Sequence, residues 1–183
     1  KPTGIKFVLG CSEDLDDLLN SFIKNDVYPS FITLDSADGG TGAAPAALMD
    51  HVGLTINKSL PLLMAHLSAS CLREKIPVYV SGKLIMPADI AWALAQGAVA
   101  VNTARGAMFA LGCIQALQCH ANTCPTGITT HNKRLKKGLD PISKSQRVSN
   151  FIINTKKQVG YIAHSTGAAC ARSIDPSRVM RND

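Results

Sequence analysis

The stretch VYVSGKLIMPADIAWALAQGAVAV, Val78–Val101, decides the fold. Val78–Val80 is short, apolar and rich in β-formers, and turn residues follow it, as in a buried parallel strand. Pro87–Gln96 reads as a helix. Pro87 suits its first turn, where no backbone N–H is needed. Asp89 complements the N-terminal end of the helix dipole, and Gly97 suits the C-terminal cap. Ala98–Val101 then returns to strand character. Strand, helix and strand in that order build a parallel sheet.

The same alternation extends towards the N-terminus. Ile5–Leu9 and Phe31–Leu34 are strand-like. Glu13–Asn25 carries Leu15, Leu18, Leu19, Phe22 and Ile23 on one helical stripe, with Ser12 as its N-cap. Leu60–Arg73 has the same pattern. Four strand–helix units predict an α/β fold. A closed (β/α)8 barrel needs eight units and roughly 250 residues, so the expectation for 183 residues is half of a barrel of the TIM type. The chain opens abruptly on Lys1, which reads as processing, a chosen boundary, or a fragment of a longer protein. Residues 1–147 are expected to form the half-barrel and residues 148–183 a terminal helical tail. Within that tail, helix is expected from Val148 to Ala171 and a loose, polar end over Asp175–Asp183. Half a barrel leaves two unpaired strand edges, so self-association of the isolated chain is expected.

The hydrophobic content of 46% is ordinary for a globular chain. No apolar run approaches the length of about 18 residues needed to span a membrane, and no export signal is present. The formal net charge of +6 has a local source. Lys133, Arg134, Lys136 and Lys137 form one cluster, and Lys144, Arg147, Lys156 and Lys157 follow. A solvated helical face is the plain reading; an anionic partner is the functional one. Aromatic residues make up 5% of the chain and no recognition motif occurs, which argues against nucleic acid. An acidic electron donor or an anionic substrate fits better.

Three loops follow strands and carry unusual chemistry. Asp38-Gly39-Gly40-Thr41-Gly42-Ala43-Ala44-Pro45 follows Phe31–Leu34, at the strand end where barrel active sites form; its glycines permit close backbone approach to a ligand. Ser81-Gly82-Lys83 follows the next strand, where backbone N–H groups can face a phosphate. Asn102-Thr103-Ala104-Arg105-Gly106 follows the last. Each alone reads equally as an ordinary turn. Two successive loops with small residues and a cation match the phosphate sites of such barrels. Lys6 interrupts the apolar run Ile5, Phe7, Val8, Leu9; it either points into water or lines the mouth of the barrel, where an anion would partner it.

Six cysteines stand at 11, 71, 113, 119, 124 and 170. Five residues separate Cys113 from Cys119, and four separate Cys119 from Cys124. This crowding is uneven for a disulfide framework, and a reduced setting with a metal or cluster is preferred. Thiolates ligate iron–sulfur clusters, and Cys124-Pro125 is a ferredoxin-like ending. Zinc is the rival, although His120 beside Cys119 is awkward as a fourth tetrahedral ligand. Cys11, Cys71 and Cys170 read as small thiols, buried or partly buried. His51, His66, His131 and His164 have no partner at metal-ligand spacing.

Together these stretches resemble the FMN-binding domain of glutamate synthase, especially the stand-alone FMN-binding glutamate synthase-like proteins. The shared stretches are KPTGIK at the start, DSADGGTGAAP (Asp35–Pro45), SGK (Ser81–Lys83) and NTARGAMFALGCIQALQCHANTCPTGI (Asn102–Ile128). The resemblance implies the C-terminal half of a (β/α)8 barrel with an iron–sulfur loop after the last strand. It implies FMN and a three-iron, four-sulfur (3Fe-4S) cluster, the latter on Cys113, Cys119 and Cys124. Lys6 would act beside the flavin and a 2-oxoacid. Asp38, Gly39, Gly40 and Gly42 would approach the cofactor, and Ser81, Gly82, Lys83, Arg105 and Gly106 would surround its phosphate. The implied reaction is reductive formation of glutamate from 2-oxoglutarate and ammonia in the cytoplasm. Ferredoxin or an NADPH-linked subunit would supply the electrons, and the N-terminal half of the barrel would complete the site. The alternatives are a non-catalytic half-barrel and a zinc-stabilised binding module. Two departures stand out. Ser36 replaces a common glycine, and Met86-Pro87 replaces a Thr-Gly pair, which removes one backbone N–H.

Overall fold

Four short strands pair in parallel in the order β1 (Ile5–Val8), β2 (Ile32–Asp35), β3 (Val78–Ser81) and β4 (Ala100–Asn102). They are seen in a computed structural model that describes residues 1–38 and 47–181. Helices α1 (Ser12–Asn25), α2 (Ile56–Ala69) and α3 (Pro87–Ala95) connect successive strands. Helix α4 (Ala104–Leu111) follows β4, and the long helix α5 (Pro141–Ser165) packs against α3 and α4. The expected strand order and parallel direction are both present.

Side chains of a strand alternate between faces, and here the two faces differ in character. Ile32, Leu34, Val78 and Val80 are buried against the helices, with Leu15 and Leu19 of α1, and Leu60, Leu63 and Leu67 of α2. Lys6, Thr33, Asp35 and Ser81 point the other way. The register sets Lys6 beside Thr33 and Val8 beside Asp35, and Ser81 beside Asn102. The face bearing these residues is the one left without a covering helix layer, and Val8 on it is 43% exposed.

Several boundaries differ from the sequence reading, each for a local reason. Helix α1 begins at Ser12, with Cys11 as N-cap and no side-chain cap bond; the Ser12 hydroxyl bonds to Glu13 instead. Helix α2 begins at Ile56, not Leu60, because Ser36 reaches across from the end of β2 and its Oγ accepts the Ile56 N–H at 2.9 Å. It ends at Ala69, and Cys71 turns into a left-handed conformation. Strand β4 starts at Ala100, because the Ala98 N–H is spent on the end of α3, bonded to Ala93 O at 3.1 Å. Gly97, at φ +104, follows α3 in the conformation that a helix terminator needs.

The tail also differs. Helix α5 starts at Pro141, where Asp140 accepts the Ile142 and Ser143 N–H groups, and it ends at Ser165. The segment from Asp175 to Arg181, expected to be loose, docks on α3. Val179 is buried, the Arg181 guanidinium lies 5.8 Å from the Trp92 ring centre, and its Nε stands 3.5 Å from Asp89 Oδ1. An arginine over an indole face gains both packing and cation–π attraction. Among the described residues no helix is long and apolar enough to cross a membrane.

The asymmetry of the sheet can be tested. Leu34→Ala should cost about 2–5 kcal/mol in denaturant unfolding, the usual range for a buried leucine. Val8→Ala, on the open face, should cost about 0.5 kcal/mol or less. Equal losses would refute a core confined to one face.

Candidate functional site

The polar ends of the strands share one cavity of about 700 Å³, a size typical of small-molecule sites. It lies where the strands end and their following loops begin, and it is lined by Lys6, Asp35, Asp38, Ser81, Gly82, Lys83, Thr103 and Arg105. Cys113, Cys119, Cys124, Thr126 and Thr129 line it from the opposite wall.

Asp35 organises the floor. Its Oδ2 is 2.6 Å from Lys6 Nζ, its Oδ1 accepts the Ser81 hydroxyl at 2.6 Å, and Oδ1 also accepts the Ser36 N–H at 3.0 Å. Three neighbouring strands thus converge on one carboxylate. Burial works against its charge, but the Lys6, Ser81 and Ser36 bonds and the Lys6 charge outweigh burial, and its carboxyl is held below the usual range. Sequence reasoning singled out Lys6 and missed Asp35. The same signal was available, a charged residue closing an apolar strand.

Gly82 and Ser36 fit each other. Gly82 has φ +127, and a Cβ there would collide with the Ser36 side chain. The serine that replaces a glycine in the β2 loop thus sits beneath a residue that has no side chain, and its hydroxyl caps α2 and bonds to Asp38. Asp38 therefore faces the cavity while engaged with its own loop. Gly39, Gly40 and Gly42 lie outside the described residues. Lys83, at φ +46, directs its ammonium to Asp50 at 2.8 Å. Pro87 opens α3 outside the lining, so its missing N–H falls away from the cavity. Gly106 is not part of the lining. It is buried within α4, where a Cβ would meet Phe151 of α5 and the Thr103 hydroxyl.

The opposite wall is built by the cysteine loop. Gln115, Leu117 and Asn122 all adopt positive φ, so the loop is tightly wound. The Gln115 N–H donates to Cys113 Sγ at 3.4 Å, and Cys124 Sγ lies 3.3 Å from Thr126 Oγ1. Burial pushes the Cys124 thiol up, but the Thr126 hydroxyl and the Thr129 backbone N–H outweigh it and bring it down to about 6. The Thr129 hydroxyl, buried without a hydrogen-bond partner, adds to this pull from farther off. Among the described residues no three His, Cys, Asp or Glu side chains converge to metal-binding distance; the three thiols share the cavity wall. Cys11, Cys71 and Cys170, expected to be buried or partly buried, are exposed because each lies in a loop or turn at the surface.

The lining suits a phosphorylated polar ligand. Thr103 is the N-cap of α4 yet makes no side-chain cap bond, and its hydroxyl is buried without a partner beside Arg105. An anion at that helix start would meet the first-turn N–H groups and the positive end of the dipole. Residues 1–169 match the conserved region in glutamate synthase. The chain belongs to the glutamate synthase family. It is 44% identical over 167 residues to the glutamate synthase large subunit-like protein YerD of Bacillus subtilis, covering 91% of this chain and 32% of that protein. It is 37% identical over 151 residues to an archaeal glutamate synthase [NADPH] of Methanocaldococcus jannaschii, covering 82% and 29%. It is 34% identical over 136 residues to a ferredoxin-dependent glutamate synthase of Antithamnion sp., covering 74% and 9%. This glutamate synthase-family chain therefore spans about a third of the length of the first two relatives.

The ion pair at the cavity floor predicts a pH dependence. The folded pKa of Asp35 lies below the unfolded value of about 3.9. Its contribution to stability is thus fully present above that value and is lost as pH falls through the folded pKa. Asp35→Asn should be less stable than the parent at neutral pH in denaturant unfolding, and the gap should close below about pH 4. A gap that persists or widens in acid would refute the Lys6–Asp35 pairing.

Proposed function

We propose that this chain supplies the C-terminal half of an FMN-dependent glutamate synthase-type (β/α)8 barrel that forms glutamate from 2-oxoglutarate and ammonia. The observation that supports the reading is the single cavity into which Lys6, Lys83, Arg105 and all three loop thiols open. Its donor set fits both groups that the family resemblance implies. Ser81, Gly82, Lys83 and Arg105, with the start of α4, would hold the phosphate of FMN. Cys113, Cys119 and Cys124 would hold the 3Fe-4S cluster, and a thiol already shifted to about 6 is a ready thiolate ligand. Bound FMN would supply a hydride to the carbon of 2-iminoglutarate, the condensation product of 2-oxoglutarate and ammonia, after reduction by two electrons from a ferredoxin or NADPH-linked donor.

Lys6 would do the work of charge and proton. The Asp35 carboxylate keeps its ammonium oriented into the cavity, where it would face the substrate carboxylate and the developing amine. Ser81 steadies Asp35 from the neighbouring strand. The N-terminal half of the barrel would bring the opposing side chains and cover the open face of the sheet.

A spectrum of the full-length protein purified without air, with iron and FMN assayed separately, tests this reading. Flavin bands with a broad brown absorption are expected; their joint absence would sink it. Cys119→Ser should abolish iron loading and leave FMN content largely intact, because the phosphate contacts lie on other loops. Equal loss of both would mean that the cysteine loop also holds the flavin pocket together. The isolated 183-residue chain should bind FMN weakly or not at all and self-associate through its strand edges. A monomer by light scattering that binds FMN stoichiometrically would refute the half-barrel.

A further inference from the structure

Four threonines fall between Asn122 and His131. The structure divides them by what their hydroxyls meet. The Thr123 hydroxyl, on an exposed residue, donates to Gln118 Oε1 at 3.1 Å. The Thr130 hydroxyl donates to the Asn122 carbonyl at 2.6 Å and accepts the Asn132 N–H at 3.1 Å, which closes the loop on itself. The Thr126 hydroxyl stands 3.3 Å from Cys124 Sγ. The Thr129 hydroxyl is buried with no hydrogen-bond partner. The first two build the loop, and the other two do not.

Thr126 and Thr129 line the cavity together with Cys124, which is only 9% exposed. Pro125 follows Cys124 directly and has no N–H to offer the sulfur. Donors must therefore come from residues farther along. The backbone that carries them is held in place by the short helical turn Leu135–Gly138. A Cβ on Gly138 would lie 2.8 Å from Thr126 O, and one on Gly127 would lie 2.3 Å from Leu135 O. A sulfur without its proton can only accept, so a hydroxyl beside it donates. Valine has the shape of threonine without the hydroxyl, and a buried hydroxyl left without a partner costs stability. Thr129 carries that cost within the described fold, and an acceptor on the cavity side would offset it.

We propose that the hydroxyls of Thr126 and Thr129 donate to the Cys124 side of the iron–sulfur site and raise the reduction potential of the cluster held there. That a cluster is held rests on the function proposed above; the two hydroxyls and their place beside Cys124 rest on the geometry. Hydrogen bonds to a ligand sulfur stabilise the more electron-rich, reduced state and so raise the potential. Burial strengthens each such bond. Both threonines are positioning residues that act through the sulfur.

The test is a mediated titration of the full-length protein with dithionite, which delivers one electron to the oxidised cluster. Electron paramagnetic resonance follows the oxidised form, and iron is assayed in each variant. Thr126→Val should make reduction about tenfold less favourable, a fall of about 59 mV for one electron. Thr129→Val should shift the potential in the same direction. Thr126→Ser restores the hydroxyl and should stay within twofold of the parent equilibrium. Thr123→Val removes a hydroxyl from the same loop but not from beside the sulfur, and should also stay within twofold. Iron content should remain at the parent level throughout; if one valine variant fails to load iron, the other decides. A parent-level potential in Thr126→Val or in Thr129→Val, an equal fall in Thr123→Val, or loss of iron from both Thr126→Val and Thr129→Val would overturn the proposal. The last result would make them loop-building residues like Thr130. Iron and FMN at full content with no threonine-dependent shift refutes this inference alone. A threonine-dependent potential in a protein that holds iron but no FMN refutes the proposed function alone, and a protein without iron refutes both.

Discussion

Four short parallel strands can bury Ile32, Leu34, Val78 and Val80 only by turning Lys6, Thr33, Asp35 and Ser81 to the other face. Everything at the site follows from that constraint. The strands run in one direction, so their C-terminal ends are level, and polar residues near each end become neighbours. A charged residue on such a face needs a partner, and the register supplies one. Lys6 of β1 and Ser81 of β3 both reach the carboxylate at the end of β2. The helices hold this arrangement from behind, with Leu15 and Leu19 of α1, Leu60, Leu63 and Leu67 of α2 and Ile90 of α3 buried in one core with the strands.

The loops above the strands are held by reciprocal fits. Ser36 caps α2 and occupies the space that Gly82 leaves open. Exchanging the glycine to the other loop would keep neither the cap nor the turn at φ +127. Thr103 shows a related economy. As N-cap it could satisfy its own helix, yet its hydroxyl is buried against Gly106 without a partner, while Ala104 and Arg105 of the first turn of α4 line the cavity. Polar groups left unsatisfied at a cavity wall are costly to folding and useful to ligand binding.

The cysteine loop has little regular structure, yet Gln115, Leu117 and Asn122 all hold left-handed backbone. Its three left-handed non-glycine residues are held in place by neighbouring segments, not by hydrogen-bonded secondary structure. Asn122 and Thr130 stitch it to the turn that follows, and α5 closes over Gly112. Helix α5 is consequently more than a tail. It joins the start of the cysteine loop to α3 and α4, and through Trp92 and Asp89 the last described residues are docked on the same helix α3.

The strand order and its parallel direction were legible in the Val78–Val101 pattern, because period and punctuation are local properties of a chain. The same holds for the loops that begin at Ser81 and Asn102 and for the cysteine spacing, which depend on residue type at short range. Lys6 was legible as an anomaly, but its partner was not, since Asp35 becomes special only through a pairing register between strands. The early start of α2 was hidden for a like reason: its cap comes from Ser36, twenty residues back along the chain and adjacent only in space. The tail read as loose because polar composition is silent about docking, and Arg181 is ordered by an indole nearly ninety residues away. Sequence alone thus determined which elements form and which chemistry their loops carry. Tertiary structure alone decided which charges are paired and which hydroxyls are left without partners, because each of these is a contact between residues that only the folded chain brings together.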